Sequence, residues 1–365
     1  MKEKLRLGYT TGTHATAILV AVLREMFEGV LLDTVEVNLP DGNSASIKVK
    51  HEKRLCFSTI KSDNDDIDVT KGCKIFLNLY ETKPKGLREQ NASVIYLNKT
   101  QVYVYAGIGV GIVTKKGLKI EPGFPAINPV PLEMMFENSK TVMRNISKKV
   151  HAVFSVENGE IISRNTANSK VGVIGGISIL GTKGIVKPVS ASAYIDSVQE
   201  EINVAAAQDE DIIVFTLGNT AFDYAKEIYK EISIVEIGNF IYDATKCLKN
   251  HAFKKIVFIT SVAKMCKVAQ GFKNTHNKFG TIDFSEVQQW IQEELNISLE
   301  DEEYLTLKAL LQNLKDDDRK EFIELLGYKA SKIFQSYIQE IDLSINNIKI
   351  VTLDDKNIDI KELKW

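Results

Sequence analysis

The chain has 365 residues, of which 44% are hydrophobic and 26% charged, which excludes a disordered protein and leaves room for two domains. Its formal net charge of −2 argues against binding to nucleic acid or to a membrane surface, since both favour a basic surplus. The four cysteines form no C-x-x-C pair, so neither a disulfide framework nor a protein metal site is predicted. With no signal peptide and no membrane-length apolar run, we expect a cytoplasmic protein.

The stretch GYTTGTHATA, residues 8–17, leads into an apolar segment and predicts a helix over residues 15–28. Gly12 and Thr13 stand where an N-cap belongs, and Gly29 stands where a left-handed residue would end the helix. Segments with a β pattern follow at residues 34–39, 45–49, 74–79, 93–97 and 102–105. One helix among many strands predicts a two-layer α+β domain, which we assign to residues 1–170.

Small residues and prolines fill the next part of the chain. GIGVG, residues 107–111, places three glycines on one face of an extended chain, which would accept either a packed backbone or a planar ligand. The dinucleotide pattern G-x-G-x-x-G is absent, so NAD is weakly supported. A proline-rich loop and a helix over residues 132–147 follow.

The sequence pattern changes after about residue 170, where predicted strands are followed by loops that contain glycine or serine. The predicted strands are 171–174, 211–217, 233–237 and 255–260, and the predicted helices are 222–228, 242–249 and 263–270. This alternation predicts a Rossmann-like, mostly parallel α/β domain over residues 171–365. A charged helical region is expected to about residue 340, and a strand over residues 348–353 is expected at the edge of the sheet.

Two loops resemble functional motifs without completing them. Residues 176–183 nearly spell a phosphate-binding loop, but Thr182 precedes Lys183 and the hydroxyl position holds Gly184, so an NTPase is disfavoured; a tight turn and a close backbone approach to a ligand stay open. Residues 61–68 cluster four aspartates but lack the calcium-loop glycine and glutamate, so a solvated loop and a functional one stay open.

Several long stretches, in order, resemble one family. LRLGYTTGTHATA, KSDNDDIDVT, GIGVGIVTKKGL with PGFPAINPVP, and GVIGGISILGTKGIVKPVS are similar to the motifs of the CbiD family, the cobalt-precorrin-5B C1-methyltransferases of anaerobic cobalamin biosynthesis. The resemblance covers residues 5 to about 280 and loosens in the last third.

The resemblance implies methyl transfer from S-adenosylmethionine, as co-substrate, to C1 of cobalt-precorrin-5B, giving cobalt-precorrin-6A. Cobalt would arrive inside the tetrapyrrole substrate, no nucleic acid or membrane partner is implied, and a homo-oligomer stays open. Two other interpretations remain: a divergent, non-catalytic corrinoid-binding protein, and an unrelated α/β nucleotide-binding protein.

With such reactants, catalysis is chiefly the alignment of donor and acceptor carbons. A base could accept the proton lost on alkylation, and its candidates are His14 and Asp66. The helix start near Thr13 would suit a substrate carboxylate. The expected substrate-binding residues are Thr10, Thr11, Gly12, Thr13, Lys61, Asp68, Asn128, Lys264 and His276. The expected donor-binding residues are Gly175, Gly176, Gly181, Thr182, Gly218, Asn219 and Asn239, most of them at carboxyl ends of strands.

The chain departs from the family pattern at three places. His14 stands where cysteine is usual, Ser261 stands in place of the histidine of G-H-x-G-K, and Thr281 stands where the pattern T-H-S-[K/R]-x-x-D ends in aspartate. A position that accepts the exchange of cysteine for histidine is not expected to be an obligate nucleophile.

Overall fold

The computed structural model describes residues 7–64, 68–142, 147–186, 191–299, 304–345, 347–355 and 357–364. The chain has a mixed α/β fold and forms two compact units, Met1–Ser190 and Ala191–Trp365. No helix in these ranges is both long and apolar enough to cross a membrane.

The first unit is mainly β-structure with one long helix. Its elements are β1 (Gly8–Tyr9), α1 (Thr11–Glu28), β2 (Thr34–Asn38), β3 (Ser44–Lys48), β4 (Lys50–Lys53), β5 (Cys56–Ile60), β6 (Lys74–Tyr80), β7 (Ser93–Leu97), β8 (Thr100–Ala106), β9 (Gly109–Val110), β10 (Ile112–Val113), α2 (Pro129–Ser139), β11 (Lys148–Val156), α3 (Gly159–Ser163), β12 (Val173–Ile174), β13 (Gly176–Ile177) and β14 (Ile185–Val186). Six of the strands form a sheet in the order β4-β5-β6-β11-β8-β7, antiparallel except for the parallel pair β11 and β8.

Helix α1 is the centre of the first core. Its side chains from Thr11 to Leu23 are buried, and it contacts α2, β5 and β6. Ile18, Leu19 and Leu23 are fully buried, and each contributes roughly 1.5–3 kcal/mol through the removal of apolar surface from water. Gly29 ends the helix at a φ of 69°, as predicted.

Three short strand pairs bring distant segments of the first unit together. β1 pairs with β14, β10 with β12, and β9 with β13. The strand predicted over residues 171–174 is therefore shorter than expected and pairs with β10 of the first unit. The helix predicted over residues 132–147 begins at Pro129, because proline is well suited to the first helical position. It ends at Ser139, earlier than predicted.

The second unit is a layered α/β structure. Its elements are α4 (Ala191–Ala207), β15 (Ile212–Leu217), α5 (Asn219–Ile228), β16 (Ile234–Glu236), α6 (Ile241–Lys246), β17 (Lys255–Ser261), α7 (Val262–Ala269), α8 (Phe284–Glu294), α9 (Leu307–Gln312), α10 (Asp316–Ile341), β18 (Asn347–Leu353) and β19 (Ile358–Lys364). The sheet has the order β16-β15-β17-β18-β19, in which only the β18–β19 pair is antiparallel.

The sequence placed β18 at the edge of this sheet, and that prediction is wrong. β19 pairs with β18 along its whole length, so β18 is an interior strand between β17 and β19. Its burial agrees with this position, since Ile348, Ile350 and Val351 are at most 1% exposed. The second core lies between the sheet and its helices, and in it the rings of Phe258 and Phe334 stack with centroids 5.6 Å apart.

Candidate functional site

The start of helix α1 is held by the backbone of residues 178–184. Thr10 is the N-cap, and its hydroxyl accepts a hydrogen bond from the Thr13 N–H at 3.2 Å. The N–H of Gly12 donates to the Leu180 carbonyl at 3.0 Å, and the Thr13 hydroxyl donates to the Gly184 carbonyl at 2.7 Å. The helix thus begins at Thr11, and the predicted N-cap at Gly12 and Thr13 is wrong by two or three residues.

Thr11 makes the most complete of these contacts. Its hydroxyl donates to the carbonyl of Leu180 at 3.2 Å and accepts from the N–H of the same residue at 2.9 Å. Thr10, Thr11 and Thr13 are at most 6% exposed. We call the four residues 10–13, together with residues 178–184, the threonine cluster. Its hydroxyls bond to the protein's own backbone and are shielded from solvent. The backbone of residues 180–184 therefore occupies the place at this helix start where a substrate carboxylate was expected.

Close packing explains the glycines of the threonine cluster. A Cβ atom on Gly12 would lie 2.7 Å from Cγ of Pro131, and one on Gly181 would lie 2.2 Å from the hydroxyl oxygen of Thr10. Gly181 also has a φ of 143°. Thr182, expected with Gly181 to bind the methyl donor, is exposed at the rim of this cluster.

We predict that Thr11→Val lowers the free energy of unfolding by about 1–3 kcal/mol, because the Leu180 N–H loses its acceptor and the buried Thr11 side chain no longer donates to the Leu180 carbonyl, which keeps the hydrogen bond from the Gly12 N–H. Urea unfolding of the purified protein measures the change. Thr182→Val is the matched control, since its side chain is exposed and a change within about 0.5 kcal/mol is expected. Equal losses in the two variants would contradict the structural role of Thr11.

His14 is a buried residue with both ring nitrogens engaged. Its Nδ1 lies 3.0 Å from the hydroxyl of Thr59, which itself donates to the carbonyl of Lys48 at 2.8 Å. Nδ1 therefore carries the hydrogen, and Nε2 accepts from the N–H of Ser62 at 3.2 Å. Burial, with a smaller contribution from the charge of Lys61, lowers the pKa of His14 to about 3. Both nitrogens of this neutral histidine are occupied, so the ring links Thr59 to Ser62. Proton transfer would first require one of these two hydrogen bonds to break.

The aspartate-rich loop contains a buried ion pair. Lys61 is 2% exposed and pairs with the carboxylate of Asp68, which also accepts from the N–H and the hydroxyl of Thr70 at 2.9 and 2.6 Å. Burial raises the pKa of Asp68, but the hydrogen bonds from Lys61 and Thr70 outweigh it and hold that pKa below its usual value. The expected base Asp66 lies outside the described residues.

The glycine strip of residues 107–111 packs against backbone, which was the first of the two interpretations left open by the sequence; the other was a planar ligand. Gly109 pairs with Gly176 between β9 and β13. A Cβ on Gly109 would lie 2.0 Å from the Val156 carbonyl oxygen, and one on Gly176 would lie 2.1 Å from the Gly109 carbonyl. Gly175 differs, because no atom of the described residues lies within 4 Å of its Cβ position. Among the expected donor-binding glycines of the first unit, Gly176 and Gly181 are closely packed, and Gly175 is the one with open space at its Cβ position.

Asn128 stands at the start of α2 without capping it. Its side chain makes no cap hydrogen bond, while its N–H donates to the Ile179 carbonyl at 2.9 Å. The side chain is half-buried and lies beside the segment that carries Leu180. Among the expected substrate-binding residues of the first unit, Asn128 is the one whose polar side chain has no hydrogen bond to a described residue.

In the second unit, loops meet at the carboxyl ends of the parallel strands β16, β15 and β17. Gly218 follows β15 with a φ of 93°, and a Cβ atom on it would lie 3.7 Å from Nζ of Lys264. Lys264 lies on α7, which begins directly after β17. Asn219 is the first residue of α5. We call Gly218, Asn219, Asn239, Lys264 and His276 the carboxyl-edge cluster.

Asn239 and His276 are connected through Thr275, the residue that precedes His276. The side-chain oxygen of Asn239 accepts from the hydroxyl of Thr275 at 2.9 Å, and its carbonyl accepts from the Thr275 N–H at 3.0 Å. His276 is exposed and accepts from the Lys278 N–H at 3.1 Å through Nδ1. The fold thus brings all five members of the carboxyl-edge cluster to one end of one sheet, on loops and on the first turns of α5 and α7.

Two residues at this edge were not singled out from the sequence. Lys267 is 6% exposed, and its Nζ donates to Thr275 O, Asn277 Oδ1 and Gly280 O at 3.1, 2.7 and 3.0 Å. Its place three residues after Lys264 is the signal that could have found it, since that spacing shares a helix face. Tyr194 packs on Gly238 and donates to the Glu236 carbonyl at 2.8 Å; no sequence motif marks it.

Within the described ranges, no three His, Cys, Asp or Glu side chains come together as they would around a metal ion. A parallel sheet with glycine loops and open polar groups at its carboxyl edge is the architecture of a protein that binds a small-molecule ligand. The comparisons with known proteins make this class specific.

The CbiD family model matches residues 1–188. The chain is 35% identical over 293 residues to the cobalt-precorrin-5B C(1)-methyltransferase of Geobacillus sp. (strain WCH70), covering 78% of this chain and 76% of that protein. It is 36% identical over 280 residues to the enzyme of the same name from Thermoanaerobacter sp. (strain X514), covering 75% and 72%. A crystal structure of cobalamin biosynthesis protein (cbiD) from Archaeoglobus fulgidus covers 70% of this chain and 77% of its own, at 27% identity and a TM-score of 0.39. The chain belongs to the CbiD family.

Proposed function

We propose that this chain is a cobalt-precorrin-5B C(1)-methyltransferase, which transfers the methyl group of S-adenosylmethionine to C1 of the tetrapyrrole and yields cobalt-precorrin-6A. The observation that carries the proposal is identity at the level of 35% across 78% of the chain to relatives of that name. Because the similarity extends into both units, we assign to this chain the activity of the whole relative and not that of a single unit.

The methyl donor is assigned to the carboxyl edge of the second unit. The parallel order of β16, β15, β17 and β18 supports a Rossmann-like domain, and ligands of such sheets lie outside the carboxyl ends of the strands. Gly218, Asn219 and Asn239 lie there, and the half-exposed ring of Tyr194 against Gly238 offers a face for the donor's adenine.

The chemistry needs little from protein side chains. The sulfonium donor is already activated: the S–CH₃ bond breaks as the C–C bond forms, and the alkylated ring loses a proton. Catalysis is then mainly the alignment of the two carbon atoms in a shielded site. Cobalt belongs to the substrate. The threonine cluster, His14 with its two hydrogen bonds, and the Lys61–Asp68 pair shape the first unit. Asn128, and Gly175 in place of its expected contact with the donor, are proposed to face the tetrapyrrole.

The test is multiple turnover with defined reactants. Purified protein is incubated anaerobically with S-adenosylmethionine and cobalt-precorrin-5B, and we expect a product heavier by one CH₂ unit in molar excess over the enzyme, together with S-adenosylhomocysteine. Omission of the donor is the control. Tight tetrapyrrole binding without product would favour the non-catalytic corrinoid-binding alternative, and failure to bind either reactant would refute both.

A further inference from the structure

Lys264 is a cation at the carboxyl edge with no acceptor in the described part of the chain. It lies in the first turn of α7, half-buried, and its Nζ is 3.7 Å from the Cβ position of Gly218. No hydrogen bond or ion pair joins its ammonium group to any described residue. Burial, and then the nearby charge of Lys267, lower the pKa of Lys264, so the protein holds this charge at a cost.

Lys267, on the same helix, shows what a structural lysine looks like here. Its ammonium donates to three oxygens of residues 275–280 and so fixes the loop that carries His276. Each donor of Lys267 is used, whereas none of the three donors of Lys264 has an acceptor among the residues that the structure describes. Ser261, the N-cap of α7, makes no side-chain cap hydrogen bond. The positive end of the helix and the ammonium group therefore favour the same kind of ligand, an anion beside Gly218.

We propose that Lys264 binds a carboxylate of a reactant seated at the carboxyl edge. This inference rests on the proposed function, because both reactants of the methyl transfer carry carboxylates. The amino-acid carboxylate of the donor and an acetate or propionate group of the tetrapyrrole are the two sources. Gly218 has no side chain to shield Nζ, which leaves the approach from the β15 loop open.

The experiment compares Lys264→Met, Lys264→Arg and Lys226→Met. Lys226 is exposed in the last turn of α5, so its replacement removes the same net charge elsewhere. The probes are S-adenosylhomocysteine and its decarboxylated analogue, whose Kd values are measured by calorimetry, and cobalt-precorrin-5B, whose KM is measured by turnover. Thermal unfolding checks that each variant folds, and Lys264→Met is expected to be at least as stable as the original chain.

If the donor supplies the carboxylate, Lys264→Met weakens S-adenosylhomocysteine binding roughly 10- to 100-fold, and the decarboxylated analogue binds the variant and the original chain equally. If the tetrapyrrole supplies it, KM for cobalt-precorrin-5B rises by a similar factor while Kd of S-adenosylhomocysteine is unchanged. In both cases Lys264→Arg recovers most of the loss and Lys226→Met has no effect.

Original values of both Kd and KM in Lys264→Met would overturn the site, and so would an equal loss in Lys226→Met. Product formation that is indifferent to Lys264 would refute the carboxylate site alone. Lys264-dependent binding of S-adenosylhomocysteine without any methylated product would refute the proposed function and keep the site. Binding of neither reactant by the original chain would refute both.

Discussion

Gly176→Ala is expected to destabilise the first unit by about 3–5 kcal/mol or to prevent its folding. The new Cβ would lie 2.1 Å from the carbonyl carbon and oxygen of Gly109. These atoms are backbone, and they are fixed by the pairing of β9 with β13, so no side-chain rotation relieves the clash. The midpoint and slope of urea unfolding, with the yield of soluble protein, measure the effect.

Gly175→Ala is the matched control for this variant. It adds the same methyl group one residue earlier, where no described atom lies within 4 Å and φ is 88°. The backbone strain of a left-handed alanine costs roughly 1–2 kcal/mol, so a smaller loss is expected. If Gly175→Ala is as damaging as Gly176→Ala, close backbone packing is not the reason for the second glycine.

The stability of the protein is expected to fall between pH 6.5 and pH 3 because of His14. Its pKa is lowered from 6.5 to about 3 in the folded state, so the unfolded chain binds a proton over this window and the folded chain does not. The contribution of His14 to the free energy of unfolding is therefore fully present above pH 6.5, and it decreases by about 1.4 kcal/mol for each pH unit below that. Urea unfolding at pH 7, 5.5 and 4.5 measures the slope.

His14→Cys separates this contribution from those of other titrating groups. Cysteine is the residue that the family pattern has at this position, and it does not gain a proton in the acidic range. The free-energy advantage of the original chain over the variant should shrink as the pH falls. If that advantage is small at pH 7, the variant should become the more stable protein at low pH. Parallel pH profiles for the two proteins would show that His14 is not held neutral by the fold.

Much of the secondary structure could be predicted because it depends on local pattern. The end of α1 at Gly29 requires only a glycine that adopts a left-handed conformation. β7 was predicted over residues 93–97, and β17 was predicted to within a residue of its end. The alternation of strand and glycine loop similarly led to Gly218 and Asn239 at the carboxyl edge.

Contacts between distant segments could not be predicted in the same way. The hydroxyls of Thr11 and Thr13 suggested a ligand site, but their partners are Leu180 and Gly184, far along the chain, and nothing local specifies them. The glycines at 109 and 176 are likewise explained only by each other. β18 was placed at the edge of its sheet because β19 was not recognised: its sequence IDIKELK alternates only at its start, and four of its seven residues are charged.

The pairing of β1 with β14 sets an order on biosynthesis. Gly8 and Tyr9 lack their β14 partners until Val186 and Ile185 have been made, and the Thr13 hydroxyl lacks the carbonyl to which it donates until Gly184 is present. At a synthesis rate of about 5–20 residues per second, the first turn of α1 waits roughly 10–40 s on the ribosome for its hydrogen bonds to Leu180 and Gly184. The buried helix at the centre of the first core is therefore finished late, and a nascent chain that ends before Ile185 exposes polar groups that the complete unit buries.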